Sequence, residues 1–540
     1  MATYQTDNKK QGKSFLSGVA VLAISTLIVK VIGMFYKIPM MAYLGAEGMG
    51  YFNSAYDIYS LFFVVATTGI PVAISILVSE SNTQNRFKNA NKIYRISMIS
   101  LGIIGLIGTL VLALFDNELA LIIRNDAARY SIFAISPTLA LICLSSAMRG
   151  YFQGNQNMLP TAISQVIEAL GKLFLGLGFA IFAIKQGYSV PIVASYAVFG
   201  LTLGVALSLL FLVLYKIFYK VKQASIDESR LDDTPKILKN IFSIAIPITL
   251  SSTILSLTKI IDMTMILGRL NDIGYTQIDA NSIYGSYSTM AVSIYNLPAT
   301  LVSAIALPLV PLLTSTIESK DVVKSQNIVS LSFKMTSLVA FPAGLGISVF
   351  SKSILSLLFK NQAAEIEYVA PLLSLLGLSV FSSAMITVTN AILQAYKQVN
   401  KPIISMIAGT LVKIATAYLL IGNKEINIYG APISTLISTI VIVSINLYFI
   451  LKSTGKLSGV FGLFGRPFIA ALISIIVGMG CYFIFNEIWV SNLNILPIIA
   501  IVCIAYVLCI LKLKVIDGDE LLMIPKGDKI IKLLRKLHLI

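Results

Sequence analysis

The sequence predicts an all-α polytopic membrane protein of about 14 transmembrane helices, built as two pseudo-twofold-related six-helix lobes plus two C-terminal helices. Three observations predict it. Of the 540 residues, 56% are hydrophobic and only 12% charged, with mean hydropathy +0.85, whereas soluble domains carry about 25% charged residues. Apolar runs of about 20 residues, the length that crosses the hydrocarbon of a bilayer, recur along the whole chain. The basic residues gather in alternate short loops, as the positive-inside rule requires of a multi-pass protein.

Spans are expected at 15–43, 51–79, 94–115, 129–151, 158–184, 189–215, 242–267, 284–313, 328–350, 367–395, 402–422, 429–451, 467–486 and 492–512. The first run, SFLSGVAVLAISTLIVKVIGMFYKIPMMAYL, is too long for a signal-peptide core and lacks a small-residue cleavage site, so it reads as an uncleaved helix. Lys30 stands at its centre, where a lysine costs roughly 2.5–3.5 kcal/mol unless it faces water, a partner or an anionic ligand. Pro39 removes a backbone donor and is expected to kink the outer third.

With the N-terminus inside, 28 of the 41 basic residues fall in inner segments, from Lys9 to Lys536, and only seven, such as Arg124 and Lys352, in outer ones. That split places both termini on the cytoplasmic side of the membrane. The remaining six, Lys30, Lys37, Lys172, Lys259, Lys334 and Lys413, lie inside spans, together with the acids Asp57, Glu168 and Asp262. Bases therefore outnumber acids at membrane depth.

The net charge of +16 reports topology, so no nucleic acid partner is expected. Cys143, Cys481, Cys503 and Cys509 sit in apolar runs without CxxC spacing, which gives neither a disulfide framework nor a metal site. The single histidine, His538, leaves none for catalysis within the membrane. Gly12-Lys13-Ser14 has Asp7 where a Walker A loop needs its first glycine. The chain is expected to be no enzyme, to hold no cofactor, and to draw on gradients or on its substrate for any transport.

The domain boundaries follow from the polar breaks: an N-lobe at 1–215, a cytoplasmic linker at 216–241, a C-lobe at 242–451, two further helices within 452–516 and a basic amphipathic cytoplasmic tail at 517–540. The lobes look like a duplication. IVKVIGMFYKIPM around Lys30 matches LTKIIDMTMILGR around Lys259, and YFQGNQNMLPTAIS matches ILQAYKQVNKPIIS, which pairs Lys172 with Lys413. Parallel six-helix repeats place a substrate site where they meet.

Each charge has a plainer reading. Glu168 precedes Lys172, and Lys259 precedes Asp262, at distances that allow local pairing along a helix. Lys30 and Lys413 have no acid within a turn and are expected to line a cavity. Lys37 and Lys334 lie close enough to an interface to snorkel. Asp57 can pair with Lys30 or bind a coupling cation. Arg149 is expected at a cytoplasmic helix end, guiding a phosphate or anchoring to headgroups.

Together KVIGMFYKIP, GAEGMGYFNSAYDIY, TTGIPVAIS and RGYFQGNQNMLPTAISQVIEA resemble the polysaccharide biosynthesis branch of the multidrug/oligosaccharidyl-lipid/polysaccharide flippase superfamily, and within it the Gram-positive lipid II flippases of the MurJ kind and stage V sporulation protein B. The resemblance covers essentially the whole chain. It implies a central cationic cavity, rocking lobes and a lipid-tail groove in the last two helices. It also implies translocation of an undecaprenyl-pyrophosphate-linked cell-wall precursor, most of all lipid II, from the inner to the outer leaflet. Membrane lipids and peptidoglycan synthesis enzymes are the implied partners. Members that carry lipid II often have arginines in the first helix; here Lys30, Tyr36 and Lys37 stand there, and the two lysines offer point charges instead of bidentate forks. An anion leaving a negative interior moves downhill by ~2.3 kcal/mol per charge per 100 mV. On this reading Lys30, Lys259 and Lys413 contact pyrophosphate, joined by Lys172 and Lys37. Two alternatives stand beside it: an exporter of cationic drugs, which needs an acidic site, and a scaffold for wall or spore-cortex synthesis that moves nothing.

Overall fold

The computed structural model describes residues 2–218, 231–455, 459–488 and 492–515, and every regular element among them is helical. The core of the expected linker, 219–230, and the expected tail, 517–540, lie outside the described residues. The helices are α1 (Ala2–Thr67), α2 (Gly69–Thr83), α3 (Phe87–Leu114), α4 (Asp116–Ile122), α5 (Arg129–Gly154), α6 (Leu159–Lys185), α7 (Val190–Phe218), α8 (Thr234–Asp272) and α9 (Gln277–Ser286). A π-helical turn, Tyr287–Ala291, leads into α10 (Val292–Glu318), followed by α11 (Val322–Val349), α12 (Ser351–Leu358), α13 (Ala363–Ala395), α14 (Asn400–Ile421), α15 (Gly430–Thr454), α16 (Arg466–Ile488) and α17 (Ile495–Lys512).

Eleven helical stretches among the described residues are long and apolar enough to cross a membrane, and the pair Thr234–Leu250 and Ser252–Asp272, bent by 44°, makes a twelfth. One of them, Ile24–Thr83, runs for 60 residues, far more than the ~20 a single crossing needs. It covers the first two expected spans. The backbone stays helical through Pro39 and breaks at Gly45, where φ is 67°. A proline costs one hydrogen bond that a long helix can spare, whereas a left-handed φ ends the hydrogen-bond ladder and is open to glycine without a Cβ penalty. A second break at Thr68 precedes Pro71, whose missing N–H leaves Thr67 without its ladder partner.

The molecule divides into two compact units, the first ending at Thr289 and the second beginning at Met290. In the first, α8 packs on α1, α2 and α3, and α9 packs on α1, so these two helices join the unit built by α1–α7. Asp232, just ahead of α8, accepts hydrogen bonds from Asn89 at 2.9 Å and Lys236 at 3.0 Å and pairs with Arg86 at 3.3 Å. Partial burial alone would raise its pKa, but those three donors hold the carboxyl below the usual range.

The tightest pairing in this unit is α6 on α7. Gly200 and Gly204 are spaced as GxxxG on α7, and a Cβ at Gly204 would stand 2.7 Å from the Lys172 backbone nitrogen and 3.0 Å from the Glu168 backbone carbonyl oxygen. Small residues let the backbones touch where hydrocarbon supplies no hydrophobic drive. Changing Gly204→Val is expected to push the helices apart and destabilise the protein by about 1–3 kcal/mol. Thermal unfolding in detergent reads the loss, and an unchanged midpoint would show that α6 is held by other contacts.

In the second unit α13 is central, flanked by α10, α11 and α15 around buried Phe333, Met385, Ile392 and Ile450. The last two helices are attached from outside: α16 runs along α11, α17 lies on α16, and the Tyr506 hydroxyl donates to the Leu338 carbonyl at 2.9 Å. Their outer faces, with Phe483 and Ile504 more than half exposed, are apolar.

Candidate functional site

Three helices of the first unit, α1, α6 and α8, bring charged side chains together at membrane depth, and α9 adds a tyrosine. From α1, Lys37 reaches across to donate to the Ser288 carbonyl at 3.4 Å. That carbonyl belongs to the π turn, where a wider helical turn disturbs the regular backbone ladder. Beside it, the Asn53 amide donates to the Thr289 hydroxyl at 2.7 Å. Twenty residues after Lys37, Asp57 accepts a short hydrogen bond from the Tyr284 hydroxyl of α9. The Asp57 carboxylate lies within electrostatic reach of Lys259 and Lys37, and of Asp262 as a like charge. Lys37 in turn lies within reach of Lys259 and Lys172. Lys172, on α6, sits 5.1 Å from the Tyr56 ring centroid, a cation–π contact worth about 0.5–2 kcal/mol.

The structure thus gathers Lys37, Lys172, Lys259, Asp57 and Asp262 in one neighbourhood, three cations to two carboxylates. Lys259 is exposed and Lys172 half-buried. Lys30, two turns before Lys37 on the same helix face, is exposed and makes no ion pair or hydrogen bond among the described residues. Lys413 belongs to the second unit, where it is 5% exposed on α14. Lys334 is also buried in that unit, on α11, rather than snorkelling from an exposed position.

Arg149 corrects its expected setting. It is not a headgroup anchor at a helix end but 5% exposed inside the bundle. Its guanidinium donates to Ser164 at 3.0 Å, to Ser208 at 3.0 Å and to Glu168 at 2.9 Å. Glu168 is therefore claimed by an arginine from another helix rather than by Lys172 four residues on. The planar fork of Arg149 satisfies three acceptors from α6 and α7 at once, which an ammonium on the same helix as Glu168 cannot do.

An equivalent polar network exists in the second unit. There Ser405 donates to Asn446 at 2.6 Å, and Asn446 donates to Asn390 and Thr389 at 2.9 Å each. In the sequence match that pairs Ser164 with Ser405, Arg149 falls on Asn390, Lys172 on Lys413 and Glu168 on Gly409. The arginine and the glutamate are thus replaced together, as expected if each is tolerable in the membrane only with the other.

Sequence reasoning missed the tyrosines. Tyr36, Phe52, Tyr56, Tyr59 and Phe63 form a continuous aromatic ladder with centroids 5.7–6.1 Å apart. The signal was present as aromatic residues three and four apart on α1. Tyr284 and Ser288 carried no signal, because their partners are more than 200 residues away. Among the described residues no group of three or more His, Cys, Asp or Glu could hold a metal ion.

An all-helical, multi-pass bundle that keeps lysines, carboxylates and tyrosines together at membrane depth has the build of a membrane transporter. The chain belongs to the polysaccharide biosynthesis protein family, whose model matches residues 15–317, and a MatE model matches 247–419. Both lie in the multidrug/oligosaccharidyl-lipid/polysaccharide superfamily of transporters and flippases, so the chain is not an enzyme. Stage V sporulation protein B of Bacillus subtilis (strain 168) is 24% identical over 426 residues, 78% of this chain and 80% of that protein. Lipid II flippase MurJ of the same organism is 27% identical over 419 residues, 74% of this chain and 76% of that one. The solved inward closed conformation of lipid II flippase MurJ shares the fold, with a TM-score of 0.68 at 16% identity over 91% of this chain and 98% of that one.

Proposed function

We propose that the protein is a flippase that carries an undecaprenyl-pyrophosphate-linked cell-wall precursor, lipid II foremost, from the inner to the outer leaflet. The observation that carries this reading is the cluster of Lys37 and Lys259 near Asp57, with Lys172 within reach of Lys37, in which cations outnumber carboxylates while Glu168 is already neutralised by Arg149. Positive side chains at that depth offset the cost of bringing a diphosphate into the bilayer. Similarity to a relative named as a lipid II flippase supports the choice of substrate. In this reading Lys30 extends the cationic surface, Arg149 holds α5, α6 and α7 together rather than meeting substrate, and both termini lie in the cytoplasm. The 1–215 and 242–451 lobes alternate access between the leaflets.

The MatE match supports a second reading, an exporter of cationic compounds, and Asp57 with Asp262 would be its natural site. Reconstituted vesicles separate the two. With a labelled undecaprenyl-pyrophosphate glycan supplied on one side, the flippase reading expects protein-dependent appearance of label on the other leaflet and no acceleration of cationic dye flux. Dye flux without movement of the lipid would overturn it.

A further inference from the structure

A second cationic site lies in the second unit, apart from the charged cluster. A cavity of about 440 Å³ opens where the loop between α13 and α14 meets the last turn of α15, lined by Tyr396, Gln398, Lys401, Phe449, Lys452 and Ser453. Its size falls in the range of small-ligand pockets, ~300–1,000 Å³. No carboxylate lines it. Lys401 is held over the Phe449 ring, 4.5 Å from the centroid, and the Gln398 amide donates to the Ser453 hydroxyl at 2.8 Å. Lys452 is exposed and makes no ion pair among the described residues. The neighbouring Lys397 is already spoken for, paired with Glu318 at 3.2 Å. Two uncompensated ammonium groups and a prearranged amide and hydroxyl thus share one opening.

The surroundings say what kind of anion fits. Both lysines stand at span ends, Lys401 in the first turn of α14 and Lys452 in the last turn of α15. Tyr448, 62% exposed, is placed like the aromatic belt residues that mark a bilayer interface. Further along α14, Ile404, Ile407 and Leu411 are all exposed and lie on one face of the helix. A free phosphate has no use for that apolar stripe, but a lipid has.

We infer that this pocket binds the headgroup of an anionic phospholipid, with phosphate between Lys401 and Lys452, the polar headgroup facing Gln398 and Ser453, and acyl chains along Ile404, Ile407 and Leu411. The site is independent of which substrate the charged cluster carries. It gives the second unit a fixed lipid at the interface, so that the composition of the leaflet bears on the stability of this half of the transporter.

The test uses the full chain in detergent, titrated with dioctanoyl phosphatidylglycerol, dioctanoyl phosphatidylcholine or inorganic phosphate while the thermal midpoint is followed. A ligand that binds only the folded state raises the midpoint. Phosphatidylglycerol is expected to do so and the other two are not. Lys401→Gln with Lys452→Gln is expected to shift the half-saturating concentration about fivefold for each lysine, near 25-fold together. Lys397→Gln, already paired elsewhere, is expected to leave the titration unchanged. If the double variant does not fold, Lys452→Gln at its exposed position carries the comparison alone. An equal response to phosphatidylcholine, an equal response to phosphate alone, or a wild-type titration in the lysine variants would each overturn the assignment.

Discussion

Replacing Arg149 with alanine is expected to destabilise the protein by about 3–5 kcal/mol, because it strands the Glu168 carboxylate inside the bundle. The side chains are 6% and 12% exposed, and the contact is 2.9 Å. The same change removes donors to Ser164 and Ser208, so three acceptors lose a partner in one step. Glu168→Gln in the alanine background is expected to recover part of the loss, since an amide costs far less to bury than an ion. A more specific rescue comes from the protein itself. The second unit keeps the same serine with Asn390 and Gly409 in place of the ion pair, so Arg149→Asn with Glu168→Gly should be markedly more stable than either single change. Unfolding midpoints in detergent, read as a double-mutant cycle, check this. Additive single effects would mean that the pair is not a unit and that the arginine stabilises α5 by other means.

How much of this was legible in the sequence depends on the distance between partners. Most spans were, because each is a property of about 20 neighbouring residues, although 284–313 is not among the crossing helices of the described residues and holds the π turn Tyr287–Ala291. Their break points were less so: Pro39 is the conspicuous helix breaker, yet the chain turns at Gly45, and only φ distinguishes them. The pairing of Glu168 shows the limit most clearly. A helical spacing of four made Lys172 its visible partner, but α5 delivers Arg149 to the same carboxylate with a fork that also reaches two serines, and no local rule ranks the two. The Asp57–Tyr284 and Lys37–Ser288 contacts, 227 and 251 residues apart, had no local trace at all. Nor did the packing of α8 and α9 against α1, which draws Lys259 into the neighbourhood of Asp57. What the sequence did carry over distance was the internal repeat. It matched the segment ending at Ser164 with the one ending at Ser405 and paired Lys172 with Lys413, and in both units the serine lies in a buried polar network.

Charge removal at the cluster has a sign that separates the two transport readings. Lys172→Gln and Lys259→Gln are each expected to slow translocation of a pyrophosphate-linked lipid by roughly tenfold to a hundredfold, the loss of one hydrogen bond to a charged group at ~1.5–3 kcal/mol. The two together are expected to abolish measurable transport. Neither change should cost much stability, because Lys172 contacts a ring face and Lys259 is exposed, so unfolding midpoints near wild type keep the transport result interpretable. Lys→Arg at the same positions should restore a substantial part of the rate, since charge is kept and phosphate binding gains a fork. Asp57→Asn should act in the opposite direction on binding: it removes a negative charge that lies near Lys37 and Lys259, so the half-saturating concentration of the anionic lipid should fall. For an exporter of cations every one of these signs reverses, with Asp57→Asn weakening binding and the lysine changes strengthening it. The measurement is the initial rate of leaflet exchange in reconstituted vesicles as a function of substrate concentration. Lysine variants that transport the lipid at the wild-type rate would remove the cluster from the substrate path, and reversed signs would hand the site to a cation.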